Sequence, residues 1–270
     1  MCRWLAYAGS PVYLDEVLFK PANSLISQSL HARKSHVVTN GDGFGLGWYD
    51  AKTEPGLYRD VRPAWNDDNL RSLSEQIRSN LFFAHVRAST GTSTSRANCH
   101  PFRHGRWLFM HNGQIGGFDR IARDLDFMIS PELYRQRQGN TDSETLFFLL
   151  LTFGLERDPV TAFRLAVERV EGAMAEAGVT DPLRIAAAVT DGERIIALRH
   201  STDRQSPTLY HGMATGVRAA DGQTCCVSET GSLFVSSEPL DAEIRNWTPV
   251  AESSLLVAET GKVKVEPFRH

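Results

Sequence analysis

The run Thr145-Leu146-Phe147-Phe148-Leu149-Leu150-Leu151 limits the fold more than any other stretch. Asn140-Thr141-Asp142-Ser143-Glu144 stands directly before it, and Thr141 with Glu144 has the spacing of a capping box that opens a helix. Such a helix is apolar nearly all round, so it has no face to offer water and must be buried. A second helix is predicted behind it. Asp158 is its cap, Pro159 its first residue, Phe163, Val167, Val170 and Met174 its apolar stripe, and Gly178 its end. Strand patterns flank the pair. Leu5–Ala8 (closed by a Gly9-Ser10-Pro11 turn), Gly41–Tyr49, Gly56–Val61, Leu81–Ala84 and Trp107–Met110 come before it. Arg184–Val189, Arg194–Leu198, Thr208–Tyr210, Leu233–Val235, Ser254–Ala258 and Lys262–Val265 come after, with turns at Asp191-Gly192 and Thr260-Gly261. No linker or repeat divides the chain. The order strands, helices, strands predicts one α+β domain over 2–270, with two central helices and sheets on either side.

Several of these elements carry polar residues that a core does not need. In Gly41-Asp42-Gly43-Phe44-Gly45-Leu46-Gly47-Trp48 the glycines fall on every second position. No helix follows and the spacing is not that of a dinucleotide loop. The pattern suits a strand with one bare face, where another backbone or a substrate comes close, and with Phe44, Leu46 and Trp48 filling the other face. Asp67 or Asp68 caps a helix expected to end near Asn80. The strand Leu81–Ala84 runs into His85-Val86-Arg87-Ala88-Ser89-Thr90-Gly91-Thr92, a basic residue followed by a Ser/Thr/Gly-rich loop. That is the composition of a ligand clamp, and equally of a solvated surface loop. Trp107–Met110 leads into His111-Asn112-Gly113. Asn-Gly can be a hairpin turn, or it can present an amide and a backbone N–H as donors to a developing oxyanion. In the capping stretch, Thr141 and Glu144 serve the helix, and Asp142 is left with its carboxylate in the first turn.

The chain begins Met1-Cys2. Removal of Met1 would leave Cys2 with a free α-amine that titrates near ~8, beside a thiol that titrates near ~8.5. The amine can then act as general base for its own side chain. A buried small hydrophobe in second position is the alternative.

Composition narrows the partners. A formal net charge of −3 over 270 residues gives no sign of binding to nucleic acid or an anionic membrane. Leu146–Leu151, the longest apolar run, is too short to span a bilayer, and no signal peptide is expected. The four cysteines, Cys2, Cys99, Cys225 and Cys226, form neither a disulfide framework nor a metal-spacing pattern, and the nine histidines lack HExxH spacing. The expectation is a cytoplasmic, reduced protein with no metal and no cofactor, acting on a small molecule.

Taken together the motifs fit one reaction. Arg suits an α-carboxylate, Asp an α-ammonium, Asn-Gly an oxyanion, and Cys a nucleophile, so the implied substrate is glutamine or a γ-glutamyl compound. Through Met1-Cys2, Asp42–Trp48, His85–Thr90, His111–Gly113 and Asn140–Glu144, with Ser236-Ser237-Glu238-Pro239 as a late match, the chain resembles the class II glutamine amidotransferases of the N-terminal nucleophile hydrolases. The resemblance implies a four-layer αββα sandwich. It implies Cys2 as nucleophile, Asn112 and Gly113 as oxyanion hole, Arg87 and Thr90 at the substrate carboxylate, and Asp142 at its amine. Arg3-Trp4 stands where the large synthases of the class have Gly-Ile, and no second, acceptor-using domain is expected. That is similar to the small stand-alone members, of the ergothioneine-pathway amidohydrolase type. Hydrolysis of a γ-glutamyl amide is the implied reaction; a glutamine-binding or ammonia-supplying subunit of a partner synthase is the alternative.

Overall fold

Two antiparallel sheets face each other in the computed structural model, which describes residues 2–34, 39–89, 93–226, 231–259 and 262–268. The seven-stranded sheet runs in the order Thr248–Pro249, Tyr210–Ala214, Ser232–Ser236, Arg3–Tyr13, Arg78–Val86, Phe44–Trp48, Gly56–Asp60. The six-stranded sheet runs Lys262–Pro267, Ser254–Glu259, Arg194–Ser201, Arg184–Thr190, Trp107–Gln114, Phe102–His104. Three apolar clusters glue four layers together. Trp4, Ala6, Phe83, Leu108, Met110 and Ala188 lie among the residues packed between the two sheets. Leu14, Val17 and Leu70 cover the outer face of the first sheet from the short helices Leu14–Leu18 and Asp68–Ser74. Helices Phe118–Met128, Asp142–Thr152 and Pro159–Glu176 cover the outer face of the second. This is the αββα sandwich, and it explains the all-apolar helix. Residues Leu146 to Leu151 are buried because sheet lies on one side and helices on the other.

Local readings mostly hold. Thr141 Oγ1 accepts from Glu144 N at 3.1 Å, and Asp158 Oδ1 accepts from Val160 N and Thr161 N at 3.1 Å each. Asp67 is the cap of its helix, with Leu70 N at 2.7 Å. Gly45 has its bare face for a reason: a Cβ there would lie 2.1 Å from the His100 carbonyl oxygen. The glycine strand thus lets the His100 backbone close against the sheet.

Other expectations are corrected. The first strand does not stop at Ala8 but continues to Tyr13 past a register shift between Ala8 and Val12, and such a bulge tolerates Gly9 and Pro11 inside a strand. The helix at Asp68 ends at Ser74, because Arg78–Asn80 is needed to pair in the next strand. His111-Asn112-Gly113 is not a turn: the strand Trp107–Gln114 runs straight through, with Asn112 opposite Ala186 and Gly113 opposite Ile185. Nor are the central helices only two, since Phe118–Met128 and Pro131–Tyr134 precede them. The expected turn at Thr260-Gly261 lies outside the described residues.

Candidate active site

Each side chain singled out by its chemistry comes from a different element, and the sheets' ends bring them together. Cys2 immediately precedes the strand Arg3–Tyr13. Its Sγ is 3.4 Å from Ala88 N and 3.5 Å from Ala88 O, just past the end of the neighbouring strand. The two sheets are pinned to one another close by, where Trp4 Nε1 donates to Ala186 O at 3.0 Å. Ala186 is opposite Asn112, so this bond sets Asn112 of one sheet across from Cys2 of the other. Cys2, Arg87, His100, Asn112, Gly113 and Asp142 line a single cleft. Thr90 lies outside the described residues.

Burial governs the electrostatics here. It pushes the Cys2 thiol up, against the lowering effect of the Ala88 backbone and of the Arg87 and Arg3 cations. A thiol in that setting is not a thiolate by itself and needs a base. Desolvation pushes His85 down to about 3 and His100 well below the ordinary imidazole range. His111 is lowered too, although Asp142 pulls the other way. All three rings are neutral at neutral pH. His85 Nε2 donates to the His111 carbonyl at 3.2 Å, which fixes its tautomer.

Arg87 is buried, with Nη1 3.3 Å from Asp42 O and Nη2 3.3 Å from Ser89 Oγ and 3.4 Å from Ser93 O. The Asp42 carboxylate in turn takes Ser89 N at 2.7 Å, which fastens the loop beside the guanidinium. Asp142 accepts Ile115 N at 2.9 Å on one oxygen and Ser143 N at 2.7 Å on the other. Ser143 Oγ also reaches Oδ1, so it is Oδ2 that keeps a lone pair for a further donor. The reciprocal half of the capping box is absent: Glu144 reaches Gln138 N and Gly139 N instead, at 2.9 Å each. Asn112, like His100 in the same cleft, stands apart in hydrogen bonding. It is 1% exposed, and neither Nδ2 nor Oδ1 has a partner among the described residues. Gly113 beside it cannot carry a side chain, since a Cβ would lie 1.9 Å from Arg184 O.

The profile of the family "Glutamine amidotransferases class-II" matches residues 19–268. The chain belongs to the class II glutamine amidotransferases. Among the curated proteins the chain is similar to, "Probable glutamine amidotransferase DUG3" of Saccharomyces cerevisiae is 35% identical over 99% of this chain and 84% of its own length. "Gamma-glutamyl-hercynylcysteine sulfoxide hydrolase" of Mycolicibacterium smegmatis is 26% identical over 99% of this chain and all of its own. A solved "glutamine aminotransferase class-II domain protein" from Silicibacter pomeroyi is 36% identical, with a TM-score of 0.75 and full coverage of both chains. The glutamine phosphoribosylpyrophosphate amidotransferase of B. subtilis shares the fold at 15% identity and a TM-score of 0.60 over 49% of its chain. The relatives of this amidotransferase-family chain are therefore both amidotransferases and γ-glutamyl hydrolases.

Sequence reasoning passed over three groups that the structure brings to the site. Asn98 joins the Arg87 loop to the Asp142 helix, with Nδ2 donating to Ser93 O and Asn140 Oδ1 at 2.9 Å each and Oδ1 accepting Asn140 N at 3.1 Å. His100 lines the cleft, its ring 4.3 Å from that of His85. Ser143 links His111 Nδ1 (2.9 Å) to Asp142 Oδ1 (3.2 Å). Asn98 and His100 sit in Asn98-Cys99-His100-Pro101-Phe102, outside the motifs singled out above; its Asn, Cys and His were the available signal. Among the described residues no helix is long and apolar enough to cross a membrane, and no group of three His, Cys, Asp or Glu is placed to hold a metal.

Proposed function

We propose that this protein hydrolyses glutamine or a γ-glutamyl amide, with Cys2 as nucleophile after loss of Met1. The convergence of Cys2, Arg87, Asn112, Gly113 and Asp142 on one cleft carries the reading. The α-carboxylate of the substrate pairs with Arg87, with Thr90 assigned beside it, and the α-ammonium binds Asp142. The Cys2 α-amine, directly or through water, takes the thiol proton; the raised thiol makes that transfer necessary. Sγ attacks the γ-carbonyl carbon, and the oxyanion is held by Asn112 Nδ2 and the Gly113 N–H. The ammonium returns its proton to the leaving nitrogen as the C–N bond breaks. Water then attacks the thioester, giving glutamate and the free thiol. The unpartnered Asn112 amide supports this role. Leaving such a buried group unsatisfied costs about 1–3 kcal/mol, which is recovered only when a ligand atom meets it.

The γ-glutamyl hydrolase named among the relatives supports hydrolysis over ammonia transfer to a partner synthase. A panel of γ-glutamyl amides, glutamine included, assayed for glutamate release tests the proposal. The wild type should release glutamate from at least one member, and Cys2→Ala should lose all of it while keeping the wild-type melting temperature within a few degrees. Release by Cys2→Ala at the wild-type rate would overturn the reading.

A further inference from the structure

Ser236-Ser237-Glu238-Pro239 stands outside the reaction just described, yet its three polar side chains are among the most deeply buried in the chain. Its register shows why. Ser236 is opposite Leu5 in the sheet. Past the strand's end, Ser237 N donates to Trp4 O at 3.0 Å and Trp4 N to Ser237 Oγ at 3.1 Å. One step further, Glu238 Oε1 meets Arg3 Nε at 3.0 Å, with both side chains almost wholly removed from solvent. Arg3 Nη1 then donates to Cys2 O at 2.7 Å. The motif thus grips residues 5, 4 and 3 in turn, and through Arg3 it reaches Cys2.

A residue at a chain end frays unless it is tied down. A nucleophile placed there needs a fixed backbone as well as a free side chain. The Arg guanidinium is planar and offers donors in a rigid fork, so fixing Nε fixes the direction of Nη1. Burial alone would make Arg3 give up its charge more readily, and Glu238 counters this. The same carboxylate accepts Arg33 N at 3.1 Å and Lys34 N at 2.8 Å, so it is held from a second side. We propose that Glu238 is a positioning residue for Cys2, orienting Arg3 so that its guanidinium clamps the Cys2 carbonyl. This rests on Cys2 being the nucleophile. Glu238 touches neither thiol nor substrate; it acts through Arg3.

The pH dependence of Cys2 reports on the clamp. The charged and titratable groups sharing the cleft with Cys2 are Arg87, His100, His111 and Asp142, and burial keeps both imidazoles neutral. Arg3 is the neighbouring cation whose charge Glu238 balances. Wild type, Glu238→Gln and Glu238→Asp are treated with iodoacetamide across a pH series, and alkylation of the Cys2 peptide is followed by mass spectrometry beside that of Cys99. The kcat and KM for glutamate release are measured per folded molecule. With Glu238→Gln the Arg3 charge is uncompensated. Cys2 alkylation should move to lower pH, Cys99 should not follow, and kcat should fall at least tenfold with KM unchanged. Glu238→Asp keeps the charge on a shorter arm, so it should keep the alkylation midpoint and still lose kcat. Should Glu238→Gln fail to fold, Glu238→Asp decides through its kcat. A folded Glu238→Gln with the wild-type profile and kcat, or a Glu238→Asp with wild-type kcat, overturns the proposal. A wild type that releases no glutamate from any amide, with the Cys2 shift still present in Glu238→Gln, sinks the hydrolase reading and leaves the clamp standing.

Discussion

Glu238 and Asn112 are equally deep, each 1% exposed, and are treated in opposite ways. The Glu238 carboxylate takes up a guanidinium and two backbone N–H groups. The Asn112 amide takes up nothing among the described residues. Buried polar groups are normally satisfied, so a paired one and an orphan at the same depth do different work. In the proposed mechanism Glu238 holds the site in shape, and the Asn112 amide is reserved for what enters the cleft. Asp142 falls between: the protein binds both of its oxygens, and Oδ2 accepts only Ile115 N among the described residues.

Asn112→Ala tests the orphan and should show the largest effect of any substitution that leaves the nucleophile in place. If the amide serves the oxyanion, kcat should fall by about 10²–10³ with KM little changed. Stability should hold, since the Asn112 side chain has no hydrogen bond to lose among the described residues. An unchanged kcat per folded molecule would return Asn112 to the class of packing residues.

Arg87→Ala and Asp142→Asn come next. Each removes one charge-assisted contact, worth roughly 1.5–3 kcal/mol, and should raise KM about ten- to a hundredfold. For Asp142→Asn the decisive comparison is between two substrates, one with a free α-amine and one N-acylated. Only the first should lose. Equal losses on both would move Asp142 to the helix start, where it already accepts Ser143 N.

How far these groups could be read beforehand differs by type. Cys2, Arg87, Asn112 and Asp142 could be singled out only as a set, since each motif alone has a bland reading, and the structure brings all four to one cleft. The sandwich was legible in part, since the Leu146–Leu151 run demanded burial on every side. The Asn112-Gly113 strand was not, because Asn-Gly has strong turn chemistry that the ladder to Ala186 and Ile185 overrides. Helix Phe118–Met128 escaped notice because Gly116 and Gly117 mask its start, and its N-cap has no side chain to announce it. The Arg3–Glu238 pair spans 235 positions, a distance at which local pattern carries no information.

The buried imidazoles give a smaller effect, on stability. His85, His100 and His111 are held neutral by burial. In the unfolded chain they bind protons below ~6.5. Between that value and the folded one, which for His85 is about 3, the unfolded state holds more protons, so stability falls as pH drops through this window. For His85 the loss should be on the order of 2 kcal/mol by pH ~5 relative to pH ~8, and His100 and His111 act in the same direction. Thermal melts should show this decline, and His85→Asn should reduce it. A melting temperature independent of pH between ~8 and ~5 would contradict the neutral assignment.

The central claim is that a Cys2 bearing a free α-amine forms the thioester. Protein incubated with its best γ-glutamyl amide is quenched in acid, digested, and its N-terminal peptide weighed. The account predicts a peptide that begins at Cys2 and carries one γ-glutamyl group on the thiol. An active preparation whose N-terminal peptide retains Met1 throughout, or whose acyl group sits on another residue, would contradict it.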